Sequence, residues 1–116
     1  MTRALRVLAV DDQPSHLTLL RQVLGPAGYD VLEARSGGEA LAVAQESVPD
    51  LVLLDMHLPD MHGLEVVRRL RASAWGAGLQ VVAMSALASP EDQALWREAG
   101  CLDVVEKPIE FAAFLK

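Results

Sequence analysis

The sequence predicts a single α/β domain in which helices cover both faces of a parallel sheet. Short runs rich in Val and Leu alternate with longer segments of helical periodicity along the chain, and such alternation is typical of parallel sheets with right-handed crossovers. The strand candidates are almost continuously apolar, as expected for strands that are buried on both faces. The length of 116 residues fits one domain, so we assign residues 1–116 to it, either as a stand-alone protein or as one domain of a longer one.

Five segments have the composition of strands. They are "LRVLAV", "YDVLEA", "DLVLLD", "LQVVAM" and "DVVE", at residues 5–10, 29–34, 50–55, 79–84 and 103–106. Five strands that alternate with helices predict a (βα)5 three-layer sandwich of the flavodoxin-like type, with strand order 2-1-3-4-5. In that fold, ligands bind at the carboxyl ends of the strands, near the switch point between strands 1 and 3.

Helix boundaries are marked by capping residues. The first helix starts at Pro14, a favourable first residue, and runs to about residue 24. Ser36 and Glu39 form a capping-box pair before the second helix. A third helix covers 64–70, with its arginines at 68, 69 and 71 on a solvated face. Ser89 starts the fourth helix, Gly100 ends it, and a last helix begins near residue 109.

Charge and cysteine content exclude several classes of function. The net charge of −6 argues against direct binding of nucleic acid or of an anionic membrane surface, because both need clustered Lys and Arg. No stretch is long enough to span a membrane. Cys101 is the only cysteine, so no internal disulfide can form, and we expect a small, partly buried thiol there. These features predict a cytoplasmic protein with no membrane insertion.

Polar side chains follow the predicted strands. Asp11 and Asp12 end strand 1, Asp55 ends strand 3, Ser85 follows strand 4 and Lys107 follows strand 5. The carboxyl ends of parallel strands meet at one edge of a sheet, so the topology gathers these side chains. Carboxylates held together repel one another, and Mg²⁺, which prefers oxygen ligands, would offset that repulsion. With a lysine and a hydroxyl beside them, they make a site suited to phosphoryl transfer onto a carboxylate.

The chain resembles the receiver domain of two-component response regulators. The segments "VLAVDD", "DLVLLDMHLPDMHG", "MSA" and "EKP" stand in the order and spacing of that family and span essentially the whole sequence. The resemblance implies a signalling module that accepts a phosphoryl group from a phosphohistidine with the help of Mg²⁺. Its donor would be a histidine kinase or a histidine phosphotransfer protein, and its target an unknown downstream protein. It would phosphorylate and dephosphorylate itself and would not be a metabolic enzyme.

The resemblance also implies a role for each site residue. Asp55 would be the phosphoacceptor, and Ser85 and Lys107 would contact the phosphoryl group. The Mg²⁺ ligands would be Asp12 directly, Asp11 largely through water, Asp55, and the backbone carbonyl of His57.

One position departs from the family pattern. Receivers usually carry Tyr or Phe three residues before the lysine, and that ring turns inward on activation, whereas this chain has Val104. We therefore expect switching to depend on residues 85–89 and on the fourth helix.

Three other classes share parts of this pattern. A pseudo-receiver would keep the fold without the chemistry; the missing aromatic favours it, and the intact acids, Ser85 and Lys107 oppose it. An aspartyl-phosphate hydrolase would need a second acid two residues after the acceptor, where His57 stands. A flavin-binding protein would need a hydroxyl-rich phosphate loop after strand 1, which this sequence lacks.

The remaining histidines and tryptophans have simpler interpretations. We interpret His57 and His62 as exposed loop residues rather than as a transition-metal pair, because no further His or Cys lies near them in sequence. His16 is expected on the exposed side of the first helix. Trp75 and Trp96 could mark a contact surface if exposed, and Trp96, on the fourth helix, is the better candidate for an interface.

Overall fold

Five parallel strands form one sheet in the order β2-β1-β3-β4-β5, as predicted. The structure is a computed structural model, and it describes residues 4–74, 76, 78–86 and 88–106. The strands are β1 Arg6–Val10, β2 Asp30–Ala34, β3 Leu51–Asp55, β4 Gln80–Ser85 and β5 Cys101–Glu106. Four of them start within one residue of the predicted start, and β5 starts two residues before it. The α/β prediction and the flavodoxin-like strand order are both confirmed.

Four helices connect the strands. They are α1 Pro14–Leu24, α2 Gly37–Ser47, α3 Gly63–Ala72 and α4 Pro90–Ala99. The predicted helix near residue 109 lies outside the described residues, as do Lys107 and Trp75. None of the described helices combines the length and the apolar character that crossing a membrane requires.

The two faces of the sheet carry separate hydrophobic clusters. On one face, Leu17, Leu20 and Leu24 of α1 pack against strand residues that include Leu53 and Met84. On the other face, α2, α3 and α4 cover the strand residues whose side chains point to that side, because side chains alternate between the two faces along a strand. Among them are Leu8, Val10, Val52, Leu54, Val81 and Ala83. Burial on both faces explains why the central strands are almost purely apolar in sequence.

The predicted cap forms completely at the start of α4 and in part at the start of α2, where one of the two capping-box hydrogen bonds is present. Ser36 Oγ accepts a hydrogen bond from Glu39 N at 3.1 Å. At α4, Ser89 and Asp92 form a complete capping box, each side chain accepting from the other's backbone N–H. Gly100 ends α4 with a φ of +119°, a backbone conformation that favours glycine.

Two surface predictions were wrong. Trp96 is 1% exposed and packs in the cluster under α4, so its side chain is not an exposed interface residue. Arg71 is half-buried and donates to the carbonyls of Gly76 at 2.9 Å and Gly100 at 2.7 Å. It therefore joins the end of α3 to the end of α4, while its neighbours Arg68 and Arg69 are exposed as expected.

Cys101 is more deeply buried than the sequence indicated. It is 5% exposed, at the start of β5. Burial raises the pKa of its thiol to about 11. A thiol with a raised pKa forms little thiolate and reacts slowly, so we assign this residue a packing role.

Candidate functional site

The carboxyl edge of the sheet brings together the predicted acids. Asp11 directly follows β1, Asp55 is the last residue of β3, and Ser85 is the last residue of β4. β1 and β3 pair side by side, as do β3 and β4, so the three strand ends lie next to one another. Carboxylate oxygens of Asp11, Asp12 and Asp55 all lie within 4.8 Å of one another. The spatial convergence predicted for these residues is therefore present.

Asp11 is completely buried, and two neighbours hold its carboxylate. Oδ1 accepts a hydrogen bond from Gln13 N at 3.0 Å, and Oδ2 accepts one from His16 Nδ1 at 3.0 Å. His16 is half-buried and turned toward the site, so the prediction of an exposed position was wrong. Its place in the first turn of α1 is a usable sequence signal, because side chains there commonly reach back over the N-terminus of a helix.

Asp55 is 5% exposed at the tip of β3. The backbone N–H of His57 donates to its Oδ1 at 2.9 Å, which fixes the rotation of the carboxylate. The next residue, Met56, donates its backbone N–H to Met84 O at 3.0 Å and so continues the pairing of β3 with β4. The predicted acceptor is thus held by backbone contacts on a rigid part of the sheet.

Ser85 is also buried, and its hydroxyl shares a hydrogen bond of 3.1 Å with His57 Nε2. His57 itself is exposed, as predicted, and lies at the mouth of the site. Its side chain therefore contacts the hydroxyl that the sequence assigned to the phosphoryl group. The sequence assigned only the backbone carbonyl of His57 to the site and did not indicate this side-chain contact.

The donor set fits a hard divalent cation. It consists of oxygen atoms, and two of the three carboxylates are buried at the sheet edge. Like charges this close together repel, and in a partly buried site the repulsion is larger than in water. Mg²⁺ prefers oxygen ligands and commonly keeps several waters, so one exposed carboxylate, Asp12, also suits it.

The loop after Asp55 is anchored to α2 by Asp60. Its carboxylate accepts hydrogen bonds from Gly37 N at 2.8 Å and from Gly38 N at 2.9 Å. The hydrogen bonds from Gly38 and Gly37 lower the pKa of Asp60 below its ordinary value of 3.8. A carboxylate at the start of a helix is also stabilised by the helix dipole. Local sequence patterns do not indicate this contact, since it joins positions 22 and 23 residues apart.

Two residues near β5 complete the description of the predicted site, Lys107 and Val104. Lys107 lies outside the described residues, so its role stays a prediction. Val104 lies on β5 opposite Ala83, half-buried against the cluster that contains Trp96.

Comparison with known proteins agrees with this architecture. Residues 7–116 match the family model described as "Response regulator receiver domain". The polar-differentiation response regulator DivK of Brucella ovis is 36% identical over 110 residues, covering 95% of this chain and 89% of DivK.

Solved structures of response regulators are also similar to this chain. Chemotaxis protein CheY4 of Vibrio cholerae superposes with a TM-score of 0.91 at 31% identity, covering 97% of this chain and 93% of that one. A CheY-like receiver domain protein of Methanospirillum hungatei gives a TM-score of 0.90 at 30% identity, covering 97% and 88%. Sequence, fold and the cluster of acids at the sheet edge agree, and the chain belongs to the receiver-domain family of two-component response regulators.

Proposed function

We propose that this receiver accepts a phosphoryl group on Asp55 from a phosphohistidine donor, with Mg²⁺ bound beside it. The convergence of three carboxylates within 4.8 Å at the end of β3 carries the proposal. A buried Asp55 surrounded by further acids is costly for a structural residue, but it suits a residue that works with a cation.

Each side chain has a task in the transfer. An oxygen of Asp55 attacks phosphorus, the new O–P bond forms as the P–N bond of the phosphohistidine breaks, and the imidazole nitrogen leaves with the electron pair. The backbone N–H of His57 orients the Asp55 carboxylate for the attack. Ser85, at the end of the adjacent strand, donates its hydroxyl to the phosphoryl group after transfer.

Asp11, Asp12, Asp55 and the backbone carbonyl of His57 would hold the Mg²⁺. When bound, the ion supplies positive charge that offsets the carboxylates and the incoming phosphoryl group. His16 and Gln13 orient Asp11 toward this group of ligands. Lys107 is assigned to the phosphoryl oxygens by its place in the family motif.

The signalling role follows from the same chemistry. A phosphoryl group adds about two negative charges and three acceptor oxygens, which is enough to rearrange the loops at the sheet edge. The donor would be a histidine kinase or a histidine phosphotransfer protein, and the output a downstream protein that binds the rearranged surface. We place this function in the cytoplasm and propose no reaction other than phosphorylation and dephosphorylation of the domain itself.

The competing functions have weaker support. An aspartyl-phosphate hydrolase would use an acid two residues after the acceptor, but that residue is His57, whose ring contacts Ser85. A pseudo-receiver would not need the three acids to lie together, and here they do.

Intact-mass spectrometry after incubation with acetyl phosphate and Mg²⁺ tests the proposal. We expect one added phosphoryl group in the parent protein and none in Asp55→Asn or in the parent treated with EDTA. Asp30→Asn is the matched control, because Asp30 is an exposed aspartate at the start of β2, at the opposite end of the sheet. A parent protein that gains no mass would support the pseudo-receiver instead.

A further inference from the structure

A row of contacts leads from the candidate site to the buried face of α4. Ser85 Oγ and His57 Nε2 share a hydrogen bond of 3.1 Å. The rings of His57 and His62 meet edge to face, with centroids 5.6 Å apart and an interplanar angle of 86°. The His62 ring then lies 6.2 Å from the ring of Trp96, tilted by 45°. These separations are within the range at which rings interact. We call the three rings of His57, His62 and Trp96 the ring relay.

The loop that carries the two histidines is clamped at its base. The backbones of His57 and His62 form an antiparallel bridge, and Gly63 N donates to Met56 O at 2.9 Å. A Cβ on Gly63 would lie 2.6 Å from Met56 Cα, so this closure depends on glycine. The ring of His62 is fixed as well, since its Nδ1 accepts from Leu64 N at 3.1 Å at the start of α3. His62 is exposed, and this hydrogen bond restrains its ring where the His57 ring meets it.

The far end of the ring relay is packed tightly. Trp96 is 1% exposed and belongs to the main cluster between the sheet and α2, α3 and α4. Close-packed interiors transmit displacement, because they contain little empty volume to absorb it. The residues on either side, Leu95 and Arg97, are exposed on α4. If α4 moves with the Trp96 ring, these exposed residues move with it.

We propose that the ring relay transmits the phosphorylation state of Asp55 to α4. The inference rests on the proposed function and adds the route by which the site controls a distant surface. When the Ser85 hydroxyl turns to the phosphoryl group, its hydrogen bond to His57 breaks and the His57 ring changes position. His62 and Trp96 follow, and the exposed face of α4 around Leu95 presents a different surface to a partner protein.

A second route from the site to α4 runs along the backbone, since residues 86–89 connect Ser85 to that helix. The two routes differ in one respect: only the ring relay depends on a ring at position 62. His62 has two separable roles, because its ring contacts Trp96 while its Nδ1 caps α3. His62→Asn keeps a capping acceptor and loses the ring, and His62→Phe keeps a ring and loses the acceptor.

The experiment uses the single indole signal of Trp96. The chain has two tryptophans, so Trp75→Phe leaves one indole N–H peak in a ¹H–¹⁵N spectrum. Beryllofluoride with Mg²⁺ imitates the aspartyl phosphate, and ¹⁹F spectra report its occupancy independently. Acetyl phosphate and intact mass confirm that each variant still accepts a phosphoryl group. Asp55→Asn in the same background gives the spectrum without an occupied site.

We expect the indole peak of the Trp75→Phe protein to move when beryllofluoride binds. The movement should persist in His62→Phe and disappear in His62→Asn, although both variants bind beryllofluoride. An unchanged movement in His62→Asn would overturn the ring relay and favour the backbone route. If the peak movement is lost in His62→Phe and retained in His62→Asn, the ring relay is also overturned. The coupling between the site and α4 would then depend on the cap of α3. A parent that binds no beryllofluoride and gains no phosphoryl mass would instead overturn the proposed function.

Discussion

Removing one acid from the cluster should make the metal-free protein more stable. Asp12→Asn is the informative change, because Asp12 is the exposed member and its replacement leaves the buried contacts of Asp11 and Asp55 in place. At 4.8 Å, the upper limit of the separation between these oxygens, two unit charges repel by about 3.5 kcal/mol at an effective dielectric of about 20, and by about 0.9 kcal/mol in water. For an exposed side chain we take a value near the lower limit for each of its two neighbours.

The variant should therefore gain about 1–2 kcal/mol of folding free energy without Mg²⁺. For a domain of about 100 residues, each kcal/mol corresponds to a rise in Tm of about 4–8 °C. Mg²⁺ should narrow this difference. It stabilises the folded protein by RT ln(1 + [Mg²⁺]/Kd), and the variant, with fewer carboxylate ligands, should gain less from it.

Thermal and urea unfolding at low ionic strength, with EDTA and with Mg²⁺, measure both effects. Glu98→Gln is the control, since it removes one exposed negative charge on α4 outside the cluster. It should change neither the metal-free stability nor the response to Mg²⁺ by a comparable amount. An Asp12→Asn protein that is less stable than the parent in EDTA, or that responds equally to Mg²⁺, would refute the electrostatic account.

Three further predictions concern the frame around the site. Gly100→Ala should cost about 1–3 kcal/mol of folding free energy in a urea titration, because φ is +119° and the new Cβ would lie 2.7 Å from Nε of Arg71. Gly78→Ala should be near neutral in the same titration, because nothing lies within 4 Å of a Cβ placed there. Asp60→Ala should destabilise the protein at neutral pH. Because hydrogen bonds lower the folded-state pKa of Asp60, its contribution is present above the unfolded value of 3.8 and is lost as pH falls through the folded pKa. The difference in stability between variant and parent should shrink as the pH falls below 3.8, and a difference that stays constant there would contradict the assignment. Trp96→Ala should cost about 3–5 kcal/mol of folding free energy because the ring is buried. Leu95→Ala, on the exposed face of α4, should change the folding free energy by less than about 1 kcal/mol. Equal costs for the two variants would contradict the burial of Trp96.

The sequence was sufficient for the architecture because the local signals agree with one another. Apolar runs, turn glycines and caps such as Ser89 all indicate the same alternation of strands and helices, and the strand order of this fold then places Asp11, Asp55 and Ser85 at one edge. The family motifs add the assignment of chemistry to those positions. The acids could be predicted because they lie at strand ends, whose relative positions follow from topology alone.

The errors concern side chains whose environment depends on tertiary packing. Leu95 and Trp96 are adjacent on α4, and only the placement of that helix decides which of them faces the sheet. Arg71 lies in the last turn of α3, where a long side chain can turn toward carbonyls from a different part of the chain. The cap formed by Asp60 and the hydrogen bond between His57 and Ser85 also join distant positions. Local periodicity contains no information about such contacts.

The central claim is that Asp55 itself carries the phosphoryl group. Borohydride reduces an aspartyl phosphate to homoserine, so protein treated with acetyl phosphate and Mg²⁺ can be reduced, digested and sequenced by mass spectrometry. The account predicts homoserine at position 55 in the peptide that contains "LVLLDMHLPDMHG", and unmodified aspartate at positions 11, 12 and 60. Homoserine at any of those other positions, with position 55 unchanged, would contradict it.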